Sequence, residues 1–231
     1  MKQIIVAIDF SKCSLHALEY AINMANRIKA NILMVWVDNT KSEESVYTDL
    51  TTGSRKEITN SFDEIISRYG PTLKEGEIAY KIRKGKPHIE IANQAKYIDA
   101  MMVVAGTHGV TGFEEFWIGS NAYRIVTYAP CPVITIRTDF DFQPDIKKIV
   151  LPIDDTLETR QKVPFATKIS KYFDSEIHVV SVYSTTIKAV RQKVDNYTAQ
   201  VIKYLEEENV KFSTKIIDAE NVTNATINYA N

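Results

Sequence analysis

Apolar positions follow two alternating patterns along the first half of the chain. Gln3–Ile8 and Ile32–Val37 are continuous apolar runs rich in β-branched residues, which is typical of strands buried on both faces. Between these runs, apolar residues recur every three or four positions, as they do on one stripe of a helix: Leu15, Leu18, Ile22, Ala25 and Ile28. The pattern predicts a strand, a helix with Ser14 as its N-cap, and a second strand.

The same alternation continues to residue 137. A helical stripe ends at Gly70-Pro71, alternating apolar residues at Ile78–Ile82 predict a strand with one polar face, and Pro87 fits the first turn of the next helix. Two further strands are predicted at Met101–Ala105 and Val133–Ile136, with a short helix between them. Alternating helices and doubly buried strands predict a parallel sheet with helices on both faces. Because ligands of such sheets bind beyond the carboxyl ends of the strands, the loops there are the places to search.

The first strand of the chain recurs in its second half. Lys2–Asp9 (KQIIVAID) returns as Lys147–Asp154 (KKIVLPID), 145 positions later, and the same offset aligns four more pairs of residues. Those pairs are Ala21 with Ala166, Ile32 with Ile177, Val35 with Val180, and Val37 with Val182. We therefore predict two copies of one unit, with domains at 1–137 and 146–231 joined by the polar segment Thr138–Asp145.

The second copy is incomplete in sequence. Its predicted elements are strands at Ile149–Ile153, Ile177–Val182 and near Val210–Ile217, with helices near Val163–Phe173 and Val194–Glu207. Nothing in it corresponds to Met101–Ile136, so its first strand would lie at a sheet edge, where strands tend to pair with other chains. We interpret the chain as a fragment of a longer protein, with cover of this edge by another chain as the alternative.

Composition and charge exclude several classes of function. The 231 residues are 45% apolar and 25% charged, with a net charge of −1, so the chain lacks the positive field of a dedicated nucleic-acid binder. No apolar run approaches the roughly 20 residues that cross a bilayer, and no signal peptide is evident. Cys13 and Cys131 have no metal-binding spacing. These features predict a cytoplasmic protein with reduced thiols.

A glycine-rich segment follows the fourth predicted strand. Its spacing is Gly106, two residues, Gly109, nine residues, then Gly119-Ser120-Asn121. Glycine lets a phosphate approach the backbone, and the N–H groups of a tight turn can converge on an anion. The last three residues would open a helix, whose free N–H groups and dipole favour a second phosphate. The alternative is that the glycines only form turns and that Ser120 is only an N-cap.

This segment, with AIDFSKCS, MVWVD and APCPVITIR, resembles the ATP-binding members of the universal stress protein family across residues 1–137. The resemblance implies an open parallel five-stranded sheet of order 3-2-1-4-5, with helices on both faces and ATP with Mg²⁺ at the point where the strand order reverses. Two positions depart from the family pattern. Asn121 stands where many members carry an apolar residue, and Trp36 replaces a smaller or imidazole side chain, which could change the fit around adenine.

The resemblance also implies which residues contact the nucleotide: Ala7, Ile8, Asp9, Val37, Ala105, Gly106, Thr107, His108, Gly109, Gly119, Ser120 and Asn121. The first three would line the adenosine and metal–phosphate side, and Val37 would meet the adenine edge through its backbone. Ala105 and Gly106 would meet the ribose and phosphates, and Gly109, Gly119, Ser120 and Asn121 would hold the triphosphate. Asp9 has a second interpretation, because aspartate after a strand often caps the next turn or helix. His108 either touches a phosphate or is a solvated loop residue.

The resemblance implies an ATP-binding stress-response sensor or switch that forms a homo-oligomer through the edge strand Val133–Ile136. We expect at most slow hydrolysis, because the sequence offers no dedicated general base or arginine finger. The main alternative is a protein-interaction module of the same fold that binds no nucleotide. An ATP-consuming ligase or transferase is disfavoured, because SKCS stands where one such group carries an SGGxDS loop. The second copy lacks the glycine motif, so we expect it to bind no nucleotide in this way.

Overall fold

A parallel β-sheet forms the centre of each of two units, Met1–Phe142 and Gln143–Asn231. The computed structural model describes residues 1–39, 52–107 and 118–230. The boundary between the units falls within Thr138–Asp145, the segment that the sequence predicts as the joint. Each unit has its own sheet and its own hydrophobic core.

The first unit holds a five-stranded parallel sheet, and its order, β3-β2-β1-β4-β5, confirms the predicted fold class. Its strands are β1 (Lys2–Ala7), β2 (Ala30–Asp38), β3 (Ile78–Lys84), β4 (Met102–Gly106) and β5 (Val133–Ile136). The interiors of β1 and β4 are almost completely buried, as expected for central strands covered by helices on both sides. The register aligns Ala7 with Val35 on β2 and with Ala105 on β4, so these three strands end at one edge.

Four helices are described in this unit: α1 (Lys12–Ile28), α2 (Thr52–Tyr69), α3 (Pro87–Tyr97) and α4 (Ser120–Tyr128). The N-cap of α1 is Ser11, whose hydroxyl accepts a hydrogen bond from the Ser14 N–H at 3.1 Å. The predicted cap at Ser14 is therefore wrong. Ser14 lies within the first turn, and its own hydroxyl donates to the Ser11 carbonyl at 3.0 Å.

The second unit has a three-stranded parallel sheet of order β6-β7-β8. Its elements are β6 (Lys148–Ile153), α5 (Val163–Phe173), β7 (Glu176–Tyr183), α6 (Lys188–Glu207), β8 (Phe212–Asp218) and α7 (Val222–Ala230). Helix α6 begins at Lys188, earlier than the predicted start near Val194, and its first turns are mostly exposed. Among the strands that the structure describes, β6 lies at a sheet edge, whereas its counterpart β1 lies between β2 and β4.

Candidate functional site

A cavity of about 340 Å³ lies at the carboxyl ends of β1, β2 and β4. This volume is within the range of small-molecule sites, roughly 300–1,000 Å³. The lining includes ten of the residues that the sequence predicts: Ala7, Ile8, Asp9, Val37, Ala105, Gly106, Thr107, Gly119, Ser120 and Asn121. The other two, His108 and Gly109, lie outside the described residues. The cavity is therefore at the edge of the sheet where the strand order reverses, as expected for an open parallel sheet.

Helices α3 and α4 supply an apolar wall that the sequence interpretation missed. Pro87 and Ile91 come from α3 and Ile125 comes from α4, and Val35 adds to the same surface from β2. Ile91, Ile125 and Val35 also belong to the hydrophobic core between the sheet and these helices. The other lining residues not foreseen as contacts are Ser14, Asn39 and Ala122, while Trp36, which the sequence places near the adenine, also lines the cavity. The cavity thus has an apolar side, suited to a flat ring, that continues into the core.

The N-terminus of α4 forms another part of the cavity lining. Gly119 is the N-cap and Ser120 is the first helical residue, so the interpretation of Ser120 as a cap is wrong. The Gly119 N–H donates to the Thr107 carbonyl at 2.7 Å, and the Tyr123 N–H donates to the Gly119 carbonyl at 2.9 Å. The amides of residues 120–122 precede the first possible intrahelical bond, so they can donate to an anion. Ser120 and Asn121 are exposed and add a hydroxyl and an amide beside them.

Gly106 has a packing role that the sequence interpretation did not include. A Cβ atom at this position would lie 2.8 Å from the Cys13 Sγ and 3.0 Å from the Cys13 carbonyl carbon. Cys13 is buried in the first turn of α1, and its thiol donates to the Ile136 carbonyl at 3.4 Å. Glycine at 106 therefore lets α1 pack closely on the end of β4, whatever the cavity binds.

Asp9 forms the turn between β1 and α1. Its Oδ1 accepts from the Ser11 N–H at 3.0 Å, and its own N–H donates to the Ser14 hydroxyl at 3.4 Å. The same two contacts recur in the second unit at the counterparts of these residues: Asp154, Thr156 and Thr159. Because the second unit lacks the glycine motif, this turn forms without a phosphate site. The turn interpretation of Asp9 is thus observed, and the carboxylate also lines the cavity.

Phe10 holds a strained backbone conformation next to Asp9. Its φ is 62°, in the left-handed region that costs an L-residue about 1–2 kcal/mol. Its ring packs edge-on against Phe62 of α2, with 5.1 Å between the ring centroids, and 6.4 Å from the Trp36 ring. The second unit does not reproduce this strain, since Asp155 has no positive φ. The left-handed turn therefore belongs to the unit that has the cavity, and aromatic packing holds it.

The family model for the universal stress proteins matches residues 1–137. The chain belongs to the universal stress protein family. A curated candidate universal stress protein of Staphylococcus haemolyticus is 27% identical over 155 residues, which span 63% of this chain and 92% of the relative. A similar protein of Staphylococcus aureus is 28% identical over 155 residues, covering 63% of this chain and 91% of its own length.

Solved structures of universal stress proteins share the fold. One from Archaeoglobus fulgidus aligns with 98% of this chain and 82% of its own, with a TM-score of 0.72 at 16% identity. UspA from Lactobacillus plantarum aligns with 59% of this chain and 97% of its own, with a TM-score of 0.50 at 24% identity. At these identities the likeness concerns the fold alone. The archaeal alignment extends over both units of this universal stress protein.

His88 is buried between the two helices that form the apolar wall of this universal stress protein's cavity. Its ring lies 5.0 Å from the Tyr128 ring, and its Nδ1 has no hydrogen-bond partner in the described part of the chain. Burial lowers the pKa of His88, and the positive charges of Arg124 and Lys86 lower it further. The imidazole is therefore neutral at neutral pH, and Lys86 and Arg124 supply the positive charge next to it.

Residues 1–39, 52–107 and 118–230 contain neither a helix that could span a membrane nor a cluster of metal ligands. No helix there has the length and hydropathy that crossing a bilayer requires. No three His, Cys, Asp or Glu side chains there cluster closely enough to hold a metal ion between them.

Proposed function

We propose that the first unit of this universal stress protein binds ATP with Mg²⁺ in the cavity and acts as a stress-response sensor or switch. The observation that carries the proposal is the composition of the cavity: its lining combines apolar side chains with the N-terminus of a helix. Such a pairing suits a ligand that has a flat ring at one end and phosphates at the other. Ten residues named from the family resemblance line this same cavity.

In this proposal the adenine ring lies against Val37 and the apolar side chains of α3 and α4, and Ala105 meets the ribose. The phosphates accept hydrogen bonds from the amides of residues 120–122 and from the Ser120 hydroxyl. Bound Mg²⁺ would neutralise phosphate charge, and Asp9, a carboxylate that lines the cavity, would hold the ion through water or accept from the ribose. Gly106 has no side chain, so α1 can pack closely on the end of β4, where the nucleotide would bind.

Hydrolysis is expected to be slow. Among the described lining residues, Asp9 carries the only ionisable side chain, so no lysine or arginine there can neutralise charge that develops during phosphoryl transfer. We therefore propose binding, with a change in loop order or association, rather than catalysis. Strand β5 is at the end of the described sheet, and we expect two copies to associate through it.

Isothermal titration of the purified chain with ATP and Mg²⁺ tests this function. We expect saturable heat with one site per chain, because the second unit lacks the glycine motif. Turnover of the bound ATP should stay below about 1 s⁻¹, the low end of ordinary enzymes. Absence of heat with ATP would overturn the proposal and favour the alternative, an interaction module of the same fold that binds no nucleotide.

A further inference from the structure

His88 is the second residue of α3 and lies where this helix packs against α4. It is only 7% exposed, and the Tyr128 ring of α4 lies against it with 5.0 Å between the ring centroids. Its Nδ1 is buried and has no hydrogen-bond partner in the described part of the chain. Such atoms are rare in native proteins, so the surroundings of His88 require an explanation beyond packing.

The two nitrogens of the His88 ring have different surroundings. No described residue forms a hydrogen bond with Nε2 either, but this atom is not one of the buried unpartnered atoms, so it reaches the surface. Buried acceptors without a partner occur more often than buried N–H groups without one. The neutral ring is therefore expected to carry its proton on Nε2, and this N–H faces outward without an acceptor.

Two cationic side chains flank this ring. Lys86 is the N-cap of α3, two residues before His88, and Arg124 lies one turn before Tyr128 on the same face of α4. Both are exposed. After burial, the positive charges of Arg124 and then Lys86 lower the pKa of His88, which shows that both act on the ring. Three hydrogen-bond donors thus meet where α3 begins beside α4.

Carboxylates do not balance these charges in the described part of the chain. Neither Lys86 nor Arg124 forms an ion pair there. Glu90, in the first turn of α3, extends toward the preceding turn instead: its Oε1 lies 3.3 Å from the place where a Cβ of Gly85 would be. Two cations beside an unpaired N–H attract an anion, because the anion offsets their mutual repulsion and accepts the hydrogen bond.

We propose that Lys86, His88 and Arg124 bind a phosphate group at the surface between α3 and α4. The guanidinium supplies a planar fork, the ammonium a compact charge and the imidazole a single N–H. A tetrahedral phosphate can accept from all three donors at once through different oxygens, whereas a carboxylate has only two oxygens. None of the three residues lines the cavity, so this site is separate from the one proposed for ATP and does not depend on it.

Titration of the full chain with sodium phosphate, at constant pH and ionic strength, tests the site. We expect saturable shifts of the His88 ring resonances with a dissociation constant on the order of 1 mM, as for a few charge-assisted hydrogen bonds at a surface. Acetate at matched ionic strength should bind more weakly. K86Q and R124Q should each weaken phosphate binding on the order of tenfold, the effect of one charge-assisted hydrogen bond.

The matched control is K96Q, because Lys96 is exposed in the last turn of the same helix and should leave the affinity for phosphate unchanged. N121D distinguishes the two sources of phosphate, since it adds a negative charge inside the cavity, where the phosphates of ATP are proposed to bind. The response of His88 to inorganic phosphate should persist in N121D. Its loss there would assign the response to phosphate in the cavity and overturn the separate site.

Three further results would overturn the proposal. One is a His88 response that stays linear well beyond the millimolar range, and another is an equal response to acetate. The third is unchanged phosphate affinity in both K86Q and R124Q. Because Lys86 and Arg124 are exposed, both variants should fold normally, and far-UV circular dichroism checks this.

Discussion

Replacing Asn121 with aspartate is expected to weaken ATP binding on the order of 100-fold without destabilising the protein. The substitution changes the side chain by one charge and almost no volume. Asn121 lies in the first turn of α4 and lines the cavity where we place the phosphates. A carboxylate about 4–5 Å from a phosphate at an effective dielectric constant near 20 costs about 3–4 kcal/mol before screening by salt.

The fold should tolerate this change, because an acidic residue in the first turn of a helix is favourable by about 0.3–1 kcal/mol. The thermal midpoint of N121D should therefore equal or exceed that of the wild type, while the dissociation constant for ATP should rise on the order of 100-fold. N93D is the matched control, since Asn93 is exposed on α3 and does not line the cavity. Equal ATP affinity in N121D and N93D would contradict the placement of the phosphates at α4.

A methyl group at position 106 is expected to cost about 1–3 kcal/mol in the free energy of unfolding, the usual range for overpacking a tight contact. In G106A the new Cβ would lie 2.8 Å from the Cys13 Sγ and 3.1 Å from the Cys13 carbonyl oxygen. Real Cβ atoms avoid such distances, so α1 or the end of β4 must shift. Urea unfolding of G106A and the wild type measures the difference.

G70A is the control for this substitution, because its Cβ would meet only Ile66 Cγ2, at 3.9 Å. Its stability should stay within about 0.5 kcal/mol of the wild type, as for most surface changes. Removing the sulfur in the double variant C13A/G106A should recover only part of the loss, because the backbone of Cys13 still obstructs the methyl group. If G106A were as stable as G70A, the packing role of Gly106 would be wrong.

The strand plan could be predicted from the sequence because each strand has a strong local signal. Continuous apolar runs mark the central strands, and the predicted limits of β5 and α5 match the structure. The signal weakens where a helix is exposed, so the start of α6 was misplaced. Helix capping is weaker still: serine stands at both 11 and 14, and only the backbone path decides which one caps α1.

The site could be predicted only where it depends on strand ends and on the glycine motif. Asp9, Val37 and Ala105 follow directly from the ends of β1, β2 and β4. Pro87 and Ile125 reach the cavity because α3 and α4 pack on one face of the sheet, and no local pattern identifies such a meeting. A signal did exist for Pro87, since a helix that follows β3 starts at the same sheet edge as the other strand ends.

Gly106 shows a different limit. Its position in the motif suggested a phosphate contact, while the structure gives it a neighbour on α1, more than 90 positions earlier in the sequence. A glycine required by a helix and a glycine required by a ligand look identical in one sequence. The role of Asp9 is easier to interpret. The same turn recurs at Asp154, in a unit without the glycine motif, so the turn forms independently of that motif.

The account depends most on the amides of residues 120–122, which have no intrahelical partner at the start of α4. Titration of the ¹⁵N-labelled chain with ATP and Mg²⁺, followed through backbone amide resonances, tests them directly. We predict large, saturable shifts for the amides of residues 120–122, with the Asp154 turn unchanged as an internal reference. The account would be contradicted if the resonances of residues 120–122 did not shift, whether ATP bound elsewhere on the chain or did not bind.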